Sequence, residues 1–396
     1  MSYAASSRRL QDVSAPIIPA ISSLISEVAG TISLGQGVAW YGPPEDVARS
    51  IAEFFDDPDR HRYGSVTGHP ELVAAIAEKL GRENACELSG RRIVVTAGAN
   101  MAFLHAMMAI LDPGDEVILP LPYYFNQEMA VRMVHGVPVS VSTDADFQID
   151  PERIKRAITP RTKAVVTISP NNPTGAVYSE QVLRQVNGLC QEAGIYHISD
   201  EAYEYFTFDG AEHFSPSAIS NSAAHTISLF SLSKAYGFAS WRIGYMVIPD
   251  HLHPAVLKVQ DTNLICAPGI SQWAAVVAMK SGVEYCRGKL KVTAGVRQSV
   301  LLKLEELQGV CDVPAVRGAF YILLRVHTGM DSITLAERLI REFKVAVIPG
   351  VAFGMTEDCY LRVSYGALDE VSAVEGMNRL VKGLKAIVGG AGGGNS

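Results

Sequence analysis

Five short runs of β-branched and apolar residues punctuate the middle of the chain: RRIVVTAGA (Arg91–Ala99), DEVILPLP, TKAVVTISP, IYHISDEAY and HTISLFSLS. Helical patterns lie between some of them. NMAFLHAMMAIL (Asn100–Leu111) reads as a buried helix stopped by Asp112-Pro113-Gly114, and SEQVLRQVNGLCQEAG as another. A strand that is apolar throughout needs cover on both faces, and alternating helices supply it. The pattern predicts an α/β fold whose large domain holds a mainly parallel sheet flanked by helices.

The chain has 396 residues, too many for one ordinary core. After residue 280 the texture changes. A charged helical stretch (Tyr285–Leu307) leads to RGAFYILLRV, a helix near Leu335–Glu342, strand-like VAVIPG and YLRVSYG, and a last helix to about Ile387. The expected division is a large domain over 46–280 and a smaller α+β domain. The latter is built from an N-terminal arm (1–45) and the C-terminal part (281–388). The tail 389–396, GGAGGGNS, has nothing to pack and is expected to be disordered.

The net charge of −7 argues weakly against nucleic acid or an anionic membrane as the main partner, because both call for a basic face. No apolar run reaches the roughly 18 residues that a membrane helix needs. Arg8 and Arg9 have no apolar stretch behind them, so the start does not read as a secretory signal, and a cytoplasmic chain is expected. Cysteines 86, 190, 266, 286, 311 and 359 are scattered, which predicts free thiols and no metal site.

In open α/β sheets, ligands sit beyond the carboxyl ends of the strands. The first run ends in Thr96-Ala97-Gly98-Ala99-Asn100, small residues opening a helix, where free amides could face an anion or simply cap a turn. The second delivers Tyr124, a flat ring for stacking or for the core. The third delivers SPNNPTG with Asn172, a turn that either points an amide at a ligand or is purely structural. The fourth delivers Asp200 and Tyr203, and a carboxylate at such a place needs a cation or water. The fifth delivers Ser231 and Lys234, with Arg242 following: a possible Schiff-base amine and a phosphate grip, or surface charges. One ligand would use all of them: a planar pyridine bearing a phenolic oxygen, an aldehyde and a phosphate.

In this order, SPNNPTG, DEAY and SLSK…WRIGY resemble the class I/II aminotransferases of the type I pyridoxal-phosphate fold, from about Leu34 to Gly366. PYYFN and YEYF look most like the plant and cyanobacterial aromatic aminotransferase-like branch. The resemblance implies a seven-stranded sheet and pyridoxal 5'-phosphate held by Lys234 as a Schiff base. It implies that Asp200 pairs with the pyridine nitrogen, that Tyr203 and Asn172 bond the phenolic oxygen, and that Tyr124 stacks on the ring. By the same resemblance, Gly98, Ala99, Asn100, Ser231 and Arg242 surround the phosphate, and Arg362 clamps the substrate carboxylate. Gly37, in SLGQGVAWYGPP, lines the substrate pocket, and Tyr63 reaches the phosphate of a neighbouring subunit in a homodimer with shared sites. Ser240, where the family usually has a glycine, and Ala99-Asn100, in place of Gly-Lys or Gly-Thr, depart from the pattern but remove no required group.

The implied activity is ping-pong transfer of an amino group from an L-amino acid to a 2-oxo acid. Trp40 and Tyr41 follow Gly37, and VLKVQDTNLICAPGIS carries no arginine where aspartate-specific relatives have one. Both features predict an aromatic or large neutral donor; the other reading of Trp40 and Tyr41 is that they pack the arm. The alternatives are an aspartate/prephenate-type aminotransferase or a lyase of the aminocyclopropane-carboxylate synthase type.

Overall fold

The computed structural model describes residues 7–391. Its centre is a seven-stranded sheet: β1 (Arg91–Thr96), β2 (Glu116–Leu121), β3 (Val137–Ser142), β4 (Thr162–Ile168), β5 (Tyr196–Asp200), β6 (Thr226–Ser231) and β7 (Gly244–Pro249). The spatial order is β1-β7-β6-β5-β4-β2-β3. Only β7 is reversed, pairing antiparallel with β1 and with β6 while every other pairing is parallel.

Side-chain alternation explains the layers. On β2 and β4, Val117, Leu119, Ala164 and Val166 face one core with Phe103 and Met107 of the helix Ala99–Ile110. Their neighbours Ile118 and Val165 face the other core, with Leu183 and Val186 of the helix Glu180–Ala193. A period of two on the strands thus feeds two helical layers.

Two strands of this sheet were not among the five runs read in the sequence. β3 lies at the sheet edge, and only Val141 of its six residues is buried. β7 is buried along its whole length but directly follows the WRI motif with no helical crossover before it.

A second, four-stranded antiparallel sheet joins Ile348–Pro349, Cys359–Ser364, Tyr321–Val326 and Cys311–Asp312 in that order. The helices Ser332–Phe343, Gly282–Leu304 and Glu370–Ala391 belong to the same part of the chain. Asp331 caps the helix Ser332–Phe343 by accepting from the amides of Ile333 and Thr334. The N-terminal arm adds Ile32–Ser33 as a parallel partner of Val345–Ala346. It then runs on past Ser364, whose amide donates to the Leu34 carbonyl at 2.6 Å.

The last helix extends to Ala391, so its end overruns the expected start of the disordered tail at 389, and residues 392–396 lie outside the described residues. All six cysteines are free, and all but Cys266 are buried. Among the described residues no helix is long and apolar enough to cross a membrane, and no cluster of side chains could hold a metal.

Candidate active site

A cavity of about 520 Å³ opens at the carboxyl edge of the large sheet. Each strand end supplies part of its wall: Ala99 and Asn100 after β1, Tyr124 after β2, Asn172 after β4, Asp200 and Tyr203 at and after β5, and Ser231 and Lys234 at and after β6. Arg242 arrives differently. It precedes β7, and because β7 runs backwards its first residue lies at the same edge as the ends of its neighbours.

Lys234 points its Nζ at the Gly37 carbonyl, 2.5 Å away. Burial, with the Arg362 and Arg242 guanidinium groups adding to it, lowers the amine to about 8, while Asp200 pulls the other way. An amine at that value is partly free base near neutral pH, as a nucleophile or proton carrier requires.

Asp200 is 8% exposed and forms no ion pair with any described residue. Its Oδ2 accepts from Gln127 Nε2 at 2.8 Å and its Oδ1 from the Ala202 amide at 3.2 Å. Burial pushes the carboxyl up to about 6; Glu201 adds to the rise, and the Ala202, Gln127 and Lys234 contacts oppose it. A buried carboxylate without a cation is costly, so Asp200 is placed to receive a positively charged group from a ligand. Gln127, from the helix Phe125–Met133, went unnoticed in the sequence; it stands three residues after Tyr124, a spacing that carries no signal by itself.

At the other end, Gly98 adopts φ +84° and starts the helix Ala99–Ile110. A Cβ on Gly98 would lie 2.5 Å from Arg242 Nη2, so only glycine lets the guanidinium lie against the helix start. Arg242 donates to the carbonyls of Ala239 and Ala97 and forms no ion pair among the described residues. A helix N-terminus, an uncommitted guanidinium and the Ser231 hydroxyl together suit a phosphate.

Behind Asn172 lies Arg362, 2% exposed, on the strand Cys359–Ser364. Its Nη1 donates to Asn172 Oδ1 at 3.0 Å and its Nη2 to the Gly35 carbonyl at 2.7 Å, while Nε has no partner. Its guanidinium carbon stands 4.6 Å from the Tyr321 ring centre and 5.1 Å from that of Phe353. No described carboxylate pairs with it, so a buried cation with a spare donor faces the region of Asn172. Tyr203 completes this side, with its hydroxyl 2.7 Å from that of Tyr321.

The structure thus gathers Gly37, Gly98, Ala99, Asn100, Tyr124, Asn172, Asp200, Tyr203, Ser231, Lys234, Arg242 and Arg362 around one space. It does not bring Tyr63, Trp40 or Tyr41 to the cavity wall. Tyr63 is 82% exposed. Tyr41 is buried and donates its hydroxyl to the Ala235 carbonyl, behind the Lys234 turn. Trp40 lies edge-on to Tyr41, and Lys289 Nζ stands 5.3 Å over its ring. Both aromatics therefore fasten the arm to the helix Gly282–Leu304 and to the back of the site.

A protein-family profile described as aminotransferase class I and II matches residues 29–380. A probable aspartate/prephenate aminotransferase of Aquifex aeolicus is 36% identical over 90% of this chain and 91% of its own. An aromatic aminotransferase of Arabidopsis thaliana is 34% identical over 98% of both. Among solved structures, a mutant of the Thermus thermophilus aspartate aminotransferase superposes with a TM-score of 0.88 at 34% identity, over 96% of this chain and 100% of its own. The aromatic aminotransferase of Pyrococcus horikoshii gives 0.84 at 32%, over 93% and 99%. These similarities favour transamination over the lyase chemistry that the same cofactor residues could serve. The family match across most of the chain, on a fold that brings a buried carboxylate, a guanidinium beside a helix start and a softened lysine to one sheet edge, makes this protein a member of the class I and II aminotransferases, which depend on pyridoxal phosphate.

Proposed function

We propose that the enzyme transfers the amino group of an aromatic or large neutral L-amino acid to a 2-oxo acid. The observation that carries this reading is the cation inventory of the site. Lys234 and Arg242 line the cavity, Arg362 stands behind Asn172, and no further lysine or arginine lines it among the described residues. With Lys234 as the amine, Arg242 on the phosphate and Arg362 on the substrate α-carboxylate, no cation remains for an acidic side chain.

When bound, pyridoxal phosphate supplies an aldehyde that captures amines and a ring that accepts electrons. Every other task falls to this chain. Asp200 would hold the ring nitrogen in its protonated form. Tyr203 and Asn172 would supply donors to the ring oxygen, and Tyr124 would offer its ring for stacking. Arg362 would grip the substrate α-carboxylate with charged hydrogen bonds, each worth about 1.5–3 kcal/mol, and so fix the orientation of the α-carbon. Lys234 would carry the proton of the reaction, taking it from the substrate α-carbon at its Nζ.

Two bodies support this work. Residues 46–280 carry Lys234, Asp200 and Arg242; the arm and residues 281–388 carry Gly37 and Arg362. The chain acts as a homodimer, an inference supported by Tyr63, which is exposed and not part of its own cavity wall.

The relatives also support a second reading, an aspartate/prephenate donor. Steady-state kcat/KM with phenylalanine, tyrosine, methionine and aspartate, against pyruvate and 2-oxoglutarate, separates the two. The aromatic donors are expected to exceed aspartate by about tenfold or more, the lower end of what one charged hydrogen bond is worth. Aspartate leading by that factor would overturn the first reading.

A further inference from the structure

Tyr321 opens the strand Tyr321–Val326 and is 1% exposed. Four parts of the site converge on it. Its hydroxyl lies 2.7 Å from that of Tyr203. Its ring lies 4.6 Å from the Arg362 guanidinium carbon. A Cβ on Gly175, in the turn that carries Asn172, would come within 2.6 Å of its carbonyl. A Cβ on Gly37 would come within 2.5 Å of its hydroxyl.

The two phenols invite a count of protons. Burial raises Tyr203 well above its ordinary value and pushes Tyr321 up to about 12, so both keep their O–H near neutral pH. One of the two protons lies between the hydroxyls. Tyr203 lines the cavity and Tyr321 does not. If Tyr203 donated inward, the outward proton would belong to a residue with no access to the cavity. If Tyr321 donates to Tyr203, the Tyr203 proton is free to point into the cavity, and donation is strengthened along the chain.

We propose that Tyr321 is a positioning residue: it donates to Tyr203 so that Tyr203 donates to the anionic ring oxygen of the cofactor, and its ring supports the arginine that holds the substrate carboxylate. The inference rests on the roles given above to Tyr203 and Arg362. It predicts that the hydroxyl and the ring of Tyr321 act on different observables.

Tyr321→Phe removes only the hydroxyl. Without its donor, Tyr203 donates less strongly, and the ring oxygen holds the neighbouring proton more tightly. The pH midpoint of the bound cofactor's visible absorbance then moves up by about half a unit. KM for the amino donor stays within about twofold, because the ring remains beneath Arg362. Tyr321→Leu removes the ring as well, and KM rises about tenfold. If Tyr321→Leu does not fold, Tyr321→Met carries the KM comparison. Tyr203→Phe serves as the control. A midpoint that moves in Tyr203→Phe but not in Tyr321→Phe overturns the proposal while sparing the Tyr203 assignment. A midpoint unmoved in both overturns that assignment and the inference built on it. Equal KM increases in the Phe and Leu variants overturn the division between hydroxyl and ring.

Discussion

If Asp200 pairs with the ring nitrogen as proposed, its charge state governs how tightly the cofactor is held. In the cofactor-free protein, burial sets its carboxyl at about 6, so it carries a proton below that pH and is a carboxylate above it. A protonated ring nitrogen is stabilised only by the carboxylate. Affinity for the cofactor is therefore expected to level off above about pH 6 and to fall below it, with a slope approaching about tenfold per pH unit. Titrating the apoenzyme with pyridoxal phosphate from pH 5 to 8, beside Asp200→Asn, tests this directly. The cofactor's own ionisations affect both proteins alike, so the difference between the two curves isolates Asp200; parallel curves would remove it from the nitrogen. Asp200 and Lys234 stand out in the sequence because they lie at and just after the ends of predicted strands, and Arg242 because it completes the SLSK…WRIGY motif that follows the last of them. Gln127 and Tyr321 do not, since each reaches the site through the packing of an element whose local pattern advertises only a helix or a strand.

At the level of elements, the junction of β1 with the helix Ala99–Ile110 is the most exacting. Gly98 combines φ +84° with ψ 166°, a region closed to side chains, and sits against Arg242. Arg242 itself is at φ +56°, an αL position uncommon for residues other than glycine. Gly98→Ala adds backbone strain of about 1–3 kcal/mol and pushes the guanidinium out of place. The expected result is a loss of cofactor affinity of at least about tenfold, measured as the apparent Kd of the reconstituted holoenzyme, with a smaller fall in the melting temperature of the apoprotein. Unchanged affinity would mean that Arg242 does not bind the phosphate. This junction was readable as small residues before a helix, and the resemblance grouped it with Arg242; the close packing of Gly98 against that guanidinium was not readable, because it depends on the reversal of β7. That strand and β3 escaped the sequence reading for opposite reasons. β3 leaves every side chain but Val141 at least partly exposed at an edge, and β7 follows the Lys234 turn with no helix between it and β6.

For the whole molecule, the question is how many chains make one site. Within a single chain the site already holds its lysine, its carboxylate and both arginines, yet Tyr63 stands exposed and off the cavity wall. If Tyr63 serves the phosphate of a neighbour, its contribution and that of Lys234 come to each site from different subunits. Two inactive or weakened homodimers then contain the parts of one good site. Tyr63→Ala chains keep their own Lys234, and Lys234→Ala chains keep their Tyr63. In a mixed dimer, the Lys234 of the first chain meets the Tyr63 of the second. Lys234→Ala alone should lose at least about a thousandfold in kcat, the scale of a lost general base, and Tyr63→Ala should bind the cofactor more weakly. Unfolding and refolding an equimolar mixture should then yield activity at limiting cofactor well above the average of the separately refolded parents, approaching a quarter of the wild-type value. The figure follows from counting: half of the randomly paired dimers are mixed, and each holds one intact site of two. Activity equal to the parental average, with mixed dimers verified by mass, would place Tyr63 in its own subunit's chemistry or outside the chemistry altogether. A monomer of full activity by light scattering would remove the shared site at once.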